Sequence, residues 1–222
     1  MKVKLVDSLG TDLSVVNAAR VSFDKKAQWE RNIPAQGIYE LSDKDKKLIR
    51  YLAKHGHFTP FCHATLSYYI KAPIFVARQL AKHQVGLTIN EVSRRYVDSE
   101  PEFYYPDTWR GRPTDKKQGS SDEVIVWLNR ERRVGGEVHK VTRHAAELYQ
   151  SMIVAGVSPE QARMVLPQSM MTEFYWTGSL YAFARVCNLR CNSNTQEETQ
   201  EVAWQIDEIA RENFPVCWAA LR

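Results

Sequence analysis

From His63 to Lys71 the chain alternates without a slip, with Ala64, Leu66, Tyr68 and Ile70 on one side and Thr65, Ser67, Tyr69 and Lys71 on the other. Successive side chains of an extended chain point to opposite faces, so the pattern describes a strand with one face buried and one facing water. Just upstream, Ser42 with Asp45 three residues on opens a helical pattern that His55-Gly56 closes. The local order is therefore helix, turn, half-buried strand.

The second half of the chain reads mainly as helices. One contains Val141 to Ala155 and ends at Gly156, after which Ser158-Pro159-Glu160-Gln161 supplies an N-cap, a first-turn proline and a capping-box glutamine. Arg163 then sits on a short helix stopped by Pro167. Ser179 is placed to cap a helix ending near Arg190, and Asn194 with Glu197 to cap the last one, whose buried stripe is Val202, Ile206 and Ile209. Arg190 thus falls at a junction between two helices, close to a helix N-terminus that itself favours an anion. The polar stretch from Gly111 to Asp122 reads as a surface loop, and no repeat divides the chain.

At 222 residues the chain suffices for one domain with a sizeable core. A net charge of +4 suits phosphate ligands without implying a nucleic-acid protein. No apolar run reaches the length of a membrane span, and MKVKLVDSLGTDLSV lacks a signal-peptide core, so a cytoplasmic protein with reduced thiols at Cys62, Cys187, Cys191 and Cys217 is expected. His55, His57, Cys62 and His63 have no second ligand pair at suitable spacing, and Cys187 and Cys191, four apart on a helix, suit small core residues, so no metal site is expected. None of the glycines forms GxGxxG or a phosphate-binding loop.

The densest polar chemistry lies in Ala77 to Tyr96, which holds four cations, a histidine, three carboxamides, a glutamate and a serine. Pro73 suits a first helical position and Gly86 the left-handed residue beyond a helix end, which predicts a short helix between them. On it Arg78 and Lys82 would share one face, and Gln79 and His83 the next. Beyond Gly86 an extended chain would put Glu91, Ser93 and Arg95 on one side and Asn90, Val92 and Arg94 on the other, as strand or as loop. Fixed cations beside a carboxylate, a hydroxyl and amides suit an anionic ligand with amide edges, such as a nucleotide; a solvated helix followed by a polar loop is the plainer alternative.

This segment resembles the signature of the flavin-dependent thymidylate synthases, the thymidylate synthase complementing protein family. Their motif reads RHR, seven or eight residues, then S, often within NExSxRY. Here Lys82-His83-Gln84 is followed after eight residues by Ser93, within Asn90-Glu91-Val92-Ser93-Arg94-Arg95-Tyr96. The tail matches throughout, and the head departs at Lys82 and Gln84. Ala18-Ala-Arg-Val-Ser-Phe23, His57-Phe-Thr-Pro-Phe-Cys-His63, Pro73-Ile-Phe-Val-Ala-Arg-Gln79, Ala162-Arg-Met-Val-Leu-Pro167 and Asn188-Leu-Arg190 are similar to the family's other blocks, in the same order.

The resemblance implies an α+β fold, with a central, mostly antiparallel sheet and flanking helices, in a single domain over residues 1–222. It implies the reductive methylation of dUMP to dTMP, with methylenetetrahydrofolate as carbon donor and NADPH as reductant of FAD. The sites lie in a homotetramer, shared between subunits, with no nucleic acid or membrane as partner. Matched residue by residue, Arg78, Gln79, Lys82, Glu91, Ser93, Arg95 and Arg163 fall at dUMP-binding positions. Arg190 falls at the position that binds the uracil ring and stabilises charge on it, the catalytic position. His57, Thr59, Lys82, His83, Gln84, Asn90, Glu91, Ser179, Tyr181 and Arg185 fall at flavin positions. Cys62, Arg185 and Asn194 depart from the commoner residues. Two alternatives are a related enzyme modifying another pyrimidine nucleotide and a non-catalytic nucleotide- or RNA-binding homologue.

Overall fold

The computed structural model describes residues 1–33, 38–114 and 119–222. Numbered along the chain, its strands are β1 (Lys2–Leu9), β2 (Glu30–Ile33), β3 (Ile38–Glu40), β4 (Thr65–Pro73), β5 (Leu87–Glu91) and β6 (Met171–Ser179). Its helices are α1 (Asp12–Arg20), α2 (Asp43–Lys54), α3 (Ile74–Leu80), α4 (Val134–Val154), α5 (Pro159–Ala162), α6 (Leu180–Arg190), α7 (Glu197–Asn213) and α8 (Pro215–Leu221). β1, β4, β6 and β5 form a four-stranded sheet in that order, with every pairing antiparallel, and β2 and β3 pair separately. The α+β fold with a central antiparallel sheet and flanking helices is the one the sequence led us to expect.

The alternation along β4 is realised, with Leu66, Tyr68, Ile70 and Ala72 buried. On its neighbour β6, Thr172, Phe174, Trp176 and Gly178 are buried in the same alternating way. The paired register of Tyr68 with Trp176 brings two large rings side by side, and Phe183 of α6 meets both edge-on, at centroid distances of 4.9 and 5.2 Å. Such aromatic contacts add to the burial of each ring, itself about 1.5–3 kcal/mol. α6 follows β6 with no loop: Ser179 ends the strand and caps the helix, its hydroxyl accepting from the Ala182 N–H at 3.2 Å. The Leu180 N–H donates to the Ala64 carbonyl at 2.9 Å, fixing the helix start against the start of β4.

α7 crosses α6, and the Tyr68 hydroxyl reaches the Ile206 carbonyl at 3.4 Å. Buried Asp12 on α1 accepts from the Val216 and Cys217 N–H groups at 3.0 and 2.9 Å, so a side chain distant in sequence satisfies the first turn of α8. Asp207 of α7 is also buried and accepts from Trp218 Nε1 at 3.1 Å, Arg222 Nε at 2.5 Å and the Arg211 guanidinium. All four cysteines carry free thiols, with Cys187 and Cys217 buried. No helix among the described residues is long and apolar enough to cross a membrane.

Several expected boundaries move. α2 is capped by Ser42, through the Asp45 N–H, and is followed by Gly56 at a φ of +67°, as predicted. α4 covers the helix expected around Val141, starts at Val134 and ends at Val154, just before Gly156. Ser158 precedes α5, but its side chain makes no capping bond, so the predicted capping box is not formed. Arg163 lies in a single 3₁₀ turn, Arg163–Val165. Gln196 rather than Asn194 occupies the cap of α7, and α8 follows the helix expected to be last. Val202 and Ile206 are buried and Ile209 is partly so. The expected loop at 111–122 falls partly outside the described residues; its ends are tied where the Gly111 N–H donates to the Glu123 carbonyl at 2.7 Å.

Gly178 pairs with Leu87 where the strands approach closely. A Cβ on Gly178 would lie 2.4 Å from Leu87 Cδ2 and 2.5 Å from the Gly86 carbonyl. Because one obstacle is backbone, Gly178→Ala is expected to push β5 off β6 and lower stability by about 1–3 kcal/mol. Urea unfolding of the variant, with hydrogen exchange of the β5 amides, checks this; a wild-type midpoint would contradict it.

Candidate active site

Pro73 ends β4 and serves as the N-cap of α3, rather than its first helical residue. α3 stops at Leu80, well before Gly86, so the expected helix is shorter and its predicted face pairs do not extend to Lys82 and His83. Those two residues turn back in tight bonds, Lys82 N–H to the Gln79 carbonyl at 3.4 Å and His83 N–H to the Leu80 carbonyl at 3.0 Å. Gly86 does adopt the predicted left-handed conformation, at a φ of +76°. The chain then becomes β5 up to Glu91.

The turn brings Arg78, Gln79 and Lys82 to one wall of a cavity of about 1090 Å³, and Arg190, Asn192, Asn194, Thr195, Gln196 and Glu198 to another. Arg78 and Lys82 are exposed and have no hydrogen-bond or ion-pair partner among the described residues. Gln79 is held at both ends: its Nε2 donates to Gln196 Oε1 at 2.6 Å and its Oε1 accepts from the buried Thr199 hydroxyl at 3.0 Å. Arg190 closes α6, where the helix dipole favours a cation. Its Nε donates to His83 Nε2 at 2.9 Å. Burial first, and then the charges of Arg190 and Arg185, hold the His83 pKa below its usual 6.5.

Residues that the sequence reading did not single out complete this cavity. Phe75, Tyr104, Trp109 and Leu189 supply apolar surface. Arg110 bridges to α7, donating to both oxygens of Glu198 at 2.7 and 2.9 Å and pairing with Glu197 at 3.0 Å. Burial, with the charge of Glu198 next, pushes the Tyr104 phenol up to about 12, so it stays protonated. Nothing local in the sequence marks Arg110 and Glu198 as partners, because they are 88 residues apart.

The other nucleotide positions except Arg95 line a second cavity of about 560 Å³. It takes Glu91, Ser93, Arg94 and Arg163. Glu91 accepts from the Thr172 hydroxyl at 2.6 Å. Arg95 and Arg163 both engage Glu160, the first through its carboxylate at 3.8 Å, the second by Nε to its carbonyl at 3.2 Å. The alternation expected beyond Gly86 ends at a turn in which the Tyr96 and Val97 N–H groups donate to the Ser93 carbonyl. Ser93 and Arg94 therefore face one cavity rather than opposite sides. The predicted dUMP set is thus split within one chain, Arg78, Gln79, Lys82 and Arg190 in the larger cavity and Glu91, Ser93 and Arg163 in the smaller.

Most of the predicted flavin positions gather on an open face around the first turns of α6. Phe58, between His57 and Thr59, stacks on Tyr181 at 5.2 Å and 26°. His57 and Thr59 are exposed, as are Gln84 and Arg185. A Cβ on Gly86 would touch Ser179 Oγ at 3.4 Å, which places the turn after His83 beside the helix start. Asn90 does not join them: paired with Tyr175, it lies on the sheet face opposite Trp176 and α6. Neither cavity is lined by His57, Thr59, Ser179, Tyr181 or Arg185. Cations beside an aromatic pair suit an anionic, planar group such as a flavin nucleotide.

Cys187, Cys191 and Asp207 bring ligand-type atoms within 4.8 Å of one another. The Asp207 carboxylate is already taken by three donors, which leaves little for a cation.

The fold and the larger cavity gather cations and carboxamides on facing walls, an arrangement that suits an anionic ligand with a planar polar edge. Residues 4–216 match the family described as thymidylate synthase complementing protein. A flavin-dependent thymidylate synthase of Thermosipho africanus is 38% identical over 216 residues, covering 96% of this chain and 87% of that protein. One of Thermus thermophilus is 35% identical over 218 residues, covering 98% and 74%. Among solved structures, a UMP/dUMP methylase PolB from Streptomyces cacaoi bound with 5-Br UMP superposes with a TM-score of 0.80 at 30% identity, over 99% of this chain and 92% of that one. The same methylase bound with 5-Br dUMP gives 0.77 at 31% identity, over 99% and 93%. The chain belongs to the thymidylate synthase complementing protein family.

The Arg110–Glu198 pair is mostly buried, with side-chain exposures of 20% and 6%. Arg110→Ala would leave that carboxylate unpaired in the cavity wall, at an expected cost of about 3–5 kcal/mol. Urea titration should give that loss, and Glu198→Gln added to Arg110→Ala should recover part of it. An Arg110→Ala protein as stable as wild type would mean that the pair does not hold the wall.

Proposed function

We propose that this chain is a flavin-dependent thymidylate synthase, which converts dUMP to dTMP with methylenetetrahydrofolate as carbon donor and NADPH as reductant of FAD. The observation that carries the reading is the gathering of Arg78, Lys82 and Arg190 with Gln79, Asn192, Asn194 and Gln196 around one cavity, inside a fold shared with a UMP/dUMP methylase. Free cations suit the phosphate of a nucleotide, and carboxamides suit the donor and acceptor edge of a pyrimidine. Arg190 is the catalytic residue. With Nε given to His83, its two Nη groups remain to meet a carbonyl of the uracil ring, and as a permanent cation it stabilises negative charge developing there. Lys82 and Arg78 attract and position the phosphate.

FAD is the cofactor that this reading requires, held by His57, Thr59, Ser179, Tyr181 and Arg185 with the Lys82–Gln84 turn and, from the far side of the sheet, Asn90. When bound it supplies the hydride, and the protein supplies placement and electrostatics. No side chain is needed as a covalent nucleophile, and among the described residues Ser93 has no imidazole base as a hydrogen-bond partner.

We further propose a homotetramer in which each site is completed by a neighbouring subunit. Two observations support it: the nucleotide positions divide between two cavities of one chain, and the flavin positions form an open face. In the assembly, Glu91, Ser93, Arg95 and Arg163 of one subunit would face Gln79 and Arg190 of another. The reading carries with it a cytoplasmic enzyme, with neither nucleic acid nor membrane as partner, and one functional domain over residues 1–222.

A second reading, a methylase that accepts UMP as well as dUMP, is favoured by the likeness to the methylase described with both 5-Br UMP and 5-Br dUMP. Flavin absorbance of purified protein with added FAD, followed by product analysis with dUMP and with UMP, separates the readings. No flavin binding and no methylated product would overturn both and leave a nucleotide-binding homologue.

If Arg190 stabilises charge on the ring, Arg190→Ala should lower kcat about 100- to 1000-fold, with kcat/KM falling alongside, while Arg163→Ala acts mainly on KM for dUMP. Steady-state dTMP formation over a range of dUMP concentrations measures both. Subunit sharing has its own test: when inactive Arg190→Ala and Ser93→Ala proteins are mixed under conditions of subunit exchange, hybrid sites should restore part of the activity. Exchange without recovery would contradict a shared site.

A further inference from the structure

His83 stands on the turn after α3 and Arg190 at the end of α6, yet they meet side chain to side chain at 2.9 Å. The geometry sets the chemistry of the contact. A guanidinium can only donate, so His83 Nε2 must be the accepting, unprotonated nitrogen, and the ring proton sits on Nδ1. An imidazolium has no acceptor and would place a second positive charge against the first. Arg190 has no other side-chain partner among the described residues, so this one bond decides where its donors point. With Nε engaged, Nη1 and Nη2 are left without a side-chain partner among the described residues, on a residue that lines the larger cavity.

We propose that His83 is a positioning residue for Arg190: it holds the guanidinium in the orientation that meets the ligand, and it does so only while its imidazole is neutral. The proposal rests on the reading of Arg190 as the ring-binding group and deepens it, since the histidine of the Lys82-His83-Gln84 turn acts through Arg190 in addition to any contact with FAD.

The groups facing the imidazole fit this role. Arg190 and Arg185 of α6 are the charges felt at the ring, and no carboxylate pairs with it among the described residues. Burial and these two cations both favour the neutral form, so the pKa lies below 6.5. The sign follows. The folded pKa is depressed, so the bond is present above 6.5 and is lost as pH falls through the lower folded value. An acid limb in kcat/KM for dUMP is expected in that range, caused by a residue that need not touch the substrate.

Two measurements test the proposal. In kinetics at saturating FAD, with flavin occupancy read by absorbance, His83→Ala should lower kcat/KM for dUMP by about 10- to 100-fold at pH 8. His83→Gln, whose amide oxygen still accepts but does not titrate, should recover much of that loss and show no acid limb. A His83→Gln profile that keeps the acid limb, or that is no better than His83→Ala with both variants folded and loaded with FAD, would overturn the idea.

The second measurement does not depend on turnover. In protein carrying ¹⁵N-labelled histidine, with the His83 signals assigned by their loss in His83→Gln, Nε2 should appear unprotonated at pH 8 and titrate below pH 6.5. In Arg190→Ala the titration should move up and the tautomer preference weaken. A protonated Nε2 at pH 8, or a titration unmoved by Arg190→Ala, would overturn the pairing. Failure of this arm counts against the pairing alone. An intact pairing in a protein that binds no FAD and forms no dTMP would count against the thymidylate synthase reading instead.

Discussion

Phe183 wedged between Tyr68 and Trp176 is the contact on which the rest of the structure depends. It locks α6 across the two central strands, and α6 carries proposed ligand positions at both ends. Ser179 and Tyr181 stand at its start and Arg190 at its finish, so a rigid eleven-residue helix sets the spacing of groups assigned to different ligands. α7 is then placed against α6 and under Tyr68, and its start supplies Gln196 and Glu198 to the cavity, with buried Thr199 holding Gln79. A side chain on a packed helix cannot drift far, which suits chemistry that needs donors held in place before the substrate arrives.

The charges divide into two kinds. Where a carboxylate is buried its lone pairs are filled: Asp12 by two N–H groups of α8, Asp207 by a tryptophan and two arginines, Glu198 by Arg110. These arrangements avoid the large cost of an isolated buried ion. Arg78 and Lys82, by contrast, are left at the cavity without a partner among the described residues, where Arg190 has the His83 ring as its one side-chain partner. Unneutralised cations at a concave surface attract anions, and a nucleotide phosphate meets them with more acceptors than a single carboxylate offers. The same division explains why the Cys187–Cys191–Asp207 cluster does not stand out as a metal centre: its only carboxylate already belongs to the packing of α8.

Much of the fold was legible because it depends on local rules. The alternation of β4, the Ser42 and Ser179 caps, and the left-handed glycines at 56, 86 and 156 are all in place, since each is decided by a few neighbouring residues. Ser158 and Asn194 have the right residue types for caps, but Ser158 sits at the start of α5 without a side-chain bond to it, and α7 starts two residues beyond the expected position, with Gln196 at its cap. The helix after Pro73 ends at Leu80 because the chain must turn back there to lay β5 against β6, a constraint from a strand whose paired residues lie 83 or more positions further along.

The sequence by itself determined the local elements and the chemical vocabulary of the site: cations, amides, a histidine and a serine in blocks that mark the family. These are properties of residue type and short spacing. The tertiary structure alone decided which of those residues meet. It put Arg78, Gln79, Lys82 and Arg190 at one cavity and Glu91, Ser93 and Arg163 at another, turned Asn90 to the far face of the sheet, and paired Arg110 with Glu198 and His83 with Arg190. The physical reason is that such contacts join segments 88 and 107 residues apart, brought together by the burial of the faces of β4, β6, α6 and α7 rather than by any preference written into either segment.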